Sequence, residues 1–133
     1  MKMRLSIIET LLFCIIFCSC SHGQKAESRL VSGLYVGQAY FDCGKMKKME
    51  MRSKDFSFEL ENKSEKEIII HDVDVSCPCV VIDKAPDKIA SGASEKVVGH
   101  IDIENQGGKL SKPIFVNFDN GEVMLLRIIG EVE

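Results

Sequence analysis

The sequence has no tryptophan. That removes the Cys…Trp…Cys signature of antibody-like domains. It also lacks any concentration of positive charge. Its 17 basic and 20 acidic side chains are interspersed and leave a formal charge of -3. Phosphate backbones are held by clustered lysine and arginine, so the composition argues against a nucleic-acid partner. No glycine-rich loop cradles phosphate, and Gly107-Gly108-Lys109 is more simply a turn. No Ser, His and Asp arrangement for nucleophilic catalysis can be argued from spacing alone. Paired Cys-x-x-Cys sets of the zinc-binding kind are missing too. These gaps leave no enzyme active site and call for no cofactor.

What is present suits one folded domain. Hydrophobic residues make up 45% and charged residues 28% of 133 positions, a balance that supports a core. The six cysteines fall into two groups with separate explanations. Cys14, Cys18 and Cys20 lie in or beside an N-terminal apolar stretch, whereas Cys43, Cys77 and Cys79 lie in the domain.

The N-terminus has the layout of a secretory signal. Lys2 and Arg4 give a basic head. Residues 5–17 form a mostly apolar run interrupted by Ser6, Glu9 and Thr10, and Ser19-Cys20 precedes a polar stretch. A spanning helix needs about 20 apolar residues, more than this run supplies. Phe17-Cys18-Ser19-Cys20 resembles a bacterial lipobox, in which the last cysteine is lipidated and becomes the new N-terminus. The expected organisation is a lipoprotein signal peptide over residues 1–19, a lipidated Cys20 with a tether to residue 38, and a domain over 39–133. Ser21 follows Cys20 where inner-membrane retention would favour Asp. The expected address is therefore the cell envelope, anchored in the outer membrane and facing the periplasm.

Past the tether the hydrophobic period is two. Residues 30–40 read as an irregular lead-in with room for a short edge strand, and residues 39–43 as a first strand ended by Gly44. Residues 45–54 read as a connection. Phe56, Phe58 and Leu60 alternate with polar residues. Residues 61–65 read as a turn. Over residues 67–76, Ile68 and Ile70 share one parity and Val73 and Val75 the other, which predicts a bulge near His71-Asp72. Pro78 lacks an amide hydrogen and predicts an edge or a break. Residues 83–93 read as a loop with Ile89 pinned inward. Residues 96–103 and 113–118 alternate again. Asp119-Asn120-Gly121 is a hairpin signal. Residues 123–132 are apolar on both parities for several positions, as in a central strand. About seven short strands with turns every eight to twelve residues predict an all-β, immunoglobulin-like antiparallel β-sandwich.

Phe41-Asp42-Cys43-Gly44, Phe56-Ser57-Phe58, residues 68–75, Ser76-Cys77-Pro78-Cys79, Ile89-Ala90-Ser91-Gly92 and Ile129-Gly130-Glu131-Val132 occur in the order of a known family. Over residues 40–133 the chain resembles bacterial domain-of-unknown-function family fifteen-seventy-three, often found on envelope lipoproteins. The Ser-Cys-x-Cys after an alternating strand is the most specific part of the match, although Pro78 stands where glycine is usual. The resemblance implies a fold similar to hydin and major-sperm-protein domains. It implies no activity.

Cys77 and Cys79 lie two apart, and on an extended strand would point the same way. Three uses compete. The thiols can pack as small hydrophobes, or one can pair with Cys43 as a staple suited to an oxidising envelope. They can supply soft ligands to a metal, with Cys43 and His71 or His100. Or Cys77 and Cys79 can exchange disulfides with other thiols. Asp72 and Asp74 read as a solvated strand face. The expected work is non-catalytic: contact with another, unknown envelope protein through a strand edge or loop face. The alternative is a thiol redox or metal-handling protein built on Cys-Pro-Cys.

Overall fold

The computed structural model describes residues 28–133. The signal peptide, Cys14, Cys18 and the lipidation site Cys20 lie outside the described residues, as does the tether up to residue 27. Ten strands follow in chain order: β1 (Arg29–Val31), β2 (Leu34–Val36), β3 (Tyr40–Met46), β4 (Ser53–Asn62), β5 (Ile68–Val75), β6 (Val80–Lys84), β7 (Lys88–Ile89), β8 (Ser94–Asp102), β9 (Gly108–Phe118) and β10 (Val123–Val132). They form two five-stranded sheets, with orders β1-β2-β4-β8-β6 and β3-β10-β9-β5-β7. There is no helix among the described residues. The fold is an all-β, immunoglobulin-like sandwich.

Alternation builds the core. On β4, Phe56, Phe58 and Leu60 point inward and their neighbours outward. On β8, Val97 and Ile101 do the same, with Gly99 between them. Ile114, Val116 and Phe118 from β9 meet them, with Met124, Leu126 and Ile128 from β10. Each fully buried Leu, Ile, Phe or Met contributes roughly 1.5–3 kcal/mol of transfer free energy. β10 is central in its sheet, with β3 on one side and β9 on the other, and its outward-facing Leu125 and Ile129 stay half-buried.

The predicted bulge sits on β5. Its register against β9 shifts between Ile70 and Asp72, so His71 is the extra residue. That slip lets Ile68 and Ile70 face the core and then turns Val73 and Val75 toward it. Ile89 is buried, as expected, and carries the two-residue strand β7.

Three features differ from the sequence reading. The strands number ten, not about seven, because β1, β2 and β7 are only two or three residues long and give too little alternation to be read as strands. The domain also begins before residue 39. Leu34 and Val36, assigned to the tether, are buried and pair with Leu60 and Asn62 on β4. Finally, β3 lies parallel to β10, the one parallel pair among these strands. A bulge on β3 falls between Asp42 and Lys45. Gly44 takes a φ of 67° there, and its amide donates to Asp42 Oδ1 at 2.8 Å. This extra residue is what lets Cys43 and Met46 both point inward from one strand.

Candidate functional site

Two places combine exposure with unused bonding capacity. The first is the Cys-Pro-Cys turn. β5 ends at Val75 in one sheet and β6 begins at Val80 in the other, so residues 76–79 carry the chain across the sandwich. Buried Val80 fixes the far end. The turn is closed by the Val80 amide donating to the Cys77 carbonyl at 3.0 Å. It is tied to the end of β8 by the Asp102 amide, which donates to the Cys79 carbonyl at 2.7 Å. Pro78, at the tip, is exposed, in the break where its missing amide costs nothing.

Cys77 and Cys79 form a disulfide, with Cα atoms 5.2 Å apart. Both residues are half-buried. The Cys79 amide donates to Cys77 Sγ at 3.3 Å. Cys43 is elsewhere: it is a free thiol on β3, buried against Gly130. Burial pushes its pKa up, Lys54 pulls it down, and Asp42 adds to the rise. The staple from Cys43 to either partner is therefore not formed. With both sulfurs of the turn in one bond, neither is a thiolate available to a metal.

The bond that does form joins no two elements. In the chain-entropy account a loop this short constrains the unfolded chain by about 1.5 kcal/mol, against about 4 for a loop from Cys43 to Cys77. The hydrogen bonds from Val80 and Asp102 already hold the turn. The bond thus adds little as a staple.

The histidines are placed apart. His71 is exposed on β5, and His100 Nδ1 lies 2.8 Å from Asp83 Oδ2 at the surface. Among the described residues no group of three or more His, Cys, Asp or Glu side chains is arranged to hold a metal ion. Asp72 and Asp74 are exposed, and Asp72 accepts from Asn117 Nδ2 at 2.6 Å, as on a solvated face.

The second place is a gap between the sheets. β2, which also pairs with β1, covers just the last three residues of β4. Residues 53–59 of β4 pair with β8 on one side and, among the described residues, with no strand on the other. Facing them across the gap is β3, the edge of the second sheet. Phe41 of β3 bridges the opening, its ring centroid 6.3 Å from those of both Phe56 and Phe58 in edge-on geometry. Alongside lies a cleft of about 370 Å³, lined by Tyr35, Tyr40, Phe41 and Phe58, with Ser57 and Lys96 at its rim. Sequence reading found Phe41, Phe56 and Phe58 but not the opening. Which strand a given strand lacks as a neighbour is set by the sheet order, and nothing local encodes that.

The comparisons with known proteins agree on the fold. A crystal structure of a protein of unknown function from Porphyromonas gingivalis W83 aligns with a TM-score of 0.64 at 13% identity, covering 83% of this chain and 51% of that one. The secreted serine protease VesC from Vibrio cholerae aligns at 0.59 and 13% identity over 82% of this chain and 24% of its own. WR4, a C. elegans MSP family member, aligns at 0.54 and 8% identity over 77% of this chain and 100% of its own. The chain thus spans about half of the first structure and about a quarter of the protease. At these identities the likeness is one of fold. No curated protein matches the chain. A family model does, from residue 34 to residue 132, the start of buried β2 to the end of β10. On that match the chain belongs to the family described as "Protein of unknown function (DUF1573)".

Proposed function

We propose that this chain is a non-catalytic, lipid-anchored module of the cell envelope that contacts another envelope protein by taking an extended segment of it into the gap between β3 and β4. The observation that carries this reading is the unpaired side of β4 over residues 53–59, with the β3 edge and an aromatic cleft beside it. A sheet edge offers a row of amide and carbonyl groups, and an added strand satisfies them. Main-chain bonds supply general affinity, and the Tyr40, Phe41 and Phe58 wall selects the side chain that enters. The other end of β3 is guarded: the Gly44 bulge breaks its register and Lys45 is exposed. That leaves residues 40–42 as the approach.

The anchor belongs to the same proposal. Acylation at Cys20 and a polar tether would hold the domain at the periplasmic face of the outer membrane. Confinement near a surface raises the effective concentration of partners in the same layer, so a modest edge contact suffices.

A photo-crosslinking residue placed at Ser57 in the full chain, in cells, tests the contact. The expected result is a discrete adduct that is absent when the same residue stands at Lys88, on the opposite edge. Equal or absent adducts from both positions would end the partner reading. Intact mass of the detergent-extracted chain tests the anchor, and a Cys20 without acyl chains would remove it.

A further inference from the structure

We propose that Cys77 and Cys79 form a dithiol–disulfide couple that exchanges with a protein dithiol, with Cys77 as the sulfur released as thiolate. This goes beyond the binding role and does not depend on it. Four observations carry it. The bond exists between residues two apart and links no two elements, so fold stability gives it little reason to be there. Both cysteines are half-buried, Cys79 packing in part against the core, and they flank an exposed proline, so the turn presents them where a second protein can approach. The turn is held by backbone hydrogen bonds from Val80 and Asp102, so the sulfurs can separate without the turn unfolding. And the two sulfurs are not equivalent: only Cys77 Sγ receives a backbone N–H, from Cys79.

That last asymmetry sets the direction of attack. A thiolate is stabilised by a hydrogen bond to its sulfur, and the better-stabilised sulfur is the better leaving group. A thiolate of the partner attacks Cys79 Sγ. The Cys77–Cys79 bond breaks, and its electron pair leaves on Cys77 Sγ, which faces the Cys79 amide. The partner is now joined to Cys79. Its second thiol loses a proton and attacks the partner sulfur of the mixed disulfide. Cys79 leaves as thiolate, and both thiolates take up protons. The partner dithiol has been oxidised to a disulfide. Cys77 and Cys79 have been reduced to two thiols, with two electrons and two protons transferred. Each step reverses when the dithiol form meets a protein disulfide. Cys43 takes no part, since it is buried in the core and its pKa is raised by that burial.

The test mixes the oxidised, detergent-extracted full chain with a reduced peptide carrying two cysteines. Peptide oxidation is followed, and free thiols on the chain are counted by alkylation and mass spectrometry. The expected result is stoichiometric peptide oxidation at least tenfold faster than with the Cys77→Ser/Cys79→Ser double variant. Two new thiols should map to Cys77 and Cys79, while Cys43 stays unlabelled until denaturant is added. Peptide oxidation no faster than with the double variant would overturn the proposal, as would recovery of Cys77 and Cys79 as thiols that oxidised glutathione does not convert. The double variant leaves the gap between β3 and β4 untouched, so crosslinking from Ser57 should persist in it. Loss of exchange and loss of partner contact are therefore separable.

Discussion

Replacing Asn62 by alanine should destabilise this domain more than any other single change of a polar side chain. Asn62 is the one fully buried polar residue among the described residues, at 0% exposure. It ends β4, and its side chain spends all its bonding capacity there. Nδ2 donates to the Lys66 carbonyl at 2.8 Å and the Ile89 carbonyl at 2.9 Å. Oδ1 accepts from the Ser64 amide at 2.9 Å and the Ser64 hydroxyl at 2.7 Å. One amide group thereby ties the β4–β5 turn to β7 in the opposite sheet. The bond to Ile89 is buried, and an enclosed carbonyl left without a donor costs about 1–3 kcal/mol. The other three are partly reached by water and lose about 0.5–1 kcal/mol each. The sum is about 2.5–6 kcal/mol, which for a domain of this size lowers the melting temperature by more than about 10 °C. Urea unfolding followed by circular dichroism measures it. Asn62→Asp should be worse than Asn62→Ala, since a second oxygen would face two carbonyls and bring an unpaired charge with it. Ser64→Ala, which removes only a hydroxyl at the rim, should cost under about 1 kcal/mol. An Asn62→Ala variant within about 1 kcal/mol of the parent, or a stable Asn62→Asp, would refute this account of how the sheets are joined.

Further outcomes are expected elsewhere. Gly99→Ala should cost at least about 1–3 kcal/mol, because its Cβ would collide with the Val81 carbonyl and the Phe56 ring, and the β6–β8 pair must part to admit it; a neutral effect in urea unfolding would contradict that packing. Cys43 supplies a pH signature. Its pKa is raised in the folded state, so the native form keeps a proton that the unfolded form releases above the ordinary thiol value of 9.0. Its contribution is full below that value and is lost as pH rises through the folded-state value, so stability should fall more steeply above pH 9 in the parent than in Cys43→Ala; parallel curves would show that burial does not hold the proton.

Much of the fold was legible because burial on one face writes itself into alternate residues. Phe56 to Leu60, Val97 to Ile103 and Ile114 to Phe118 gave their strands directly. The parity switch from Ile70 to Val73 gave the bulge, and the doubled apolar pattern of residues 123–132 gave a central strand. What stayed hidden is non-local. Nothing in residues 40–46 says that they run parallel to the chain's final strand. Asn62 sits in a run of polar residues that reads as a solvated turn, since its burial depends on Ile89 arriving from the other sheet. The Cys-Pro-Cys motif was plain, but three domain cysteines allow several pairings, and only the placement of Cys43 behind Gly130 removes the others. The gap beside β4 was invisible, because it is the absence of a neighbour.

The parallel pairing of β3 with β10 also fixes an order of events. β3 comes early in the domain, yet among the described residues its one sheet partner is β10, the last of the ten strands. Glu133, just past β10, is used as well: its amide donates to the Met46 carbonyl at 2.8 Å, and its carbonyl accepts from the Lys48 amide at 3.1 Å. A chain emerging N-terminus first must therefore keep the Phe41 strand waiting, unclaimed, until its closing residues arrive. A cut within β10 would strip away the seam that holds β3 down, and damage late in the domain would be felt near its beginning.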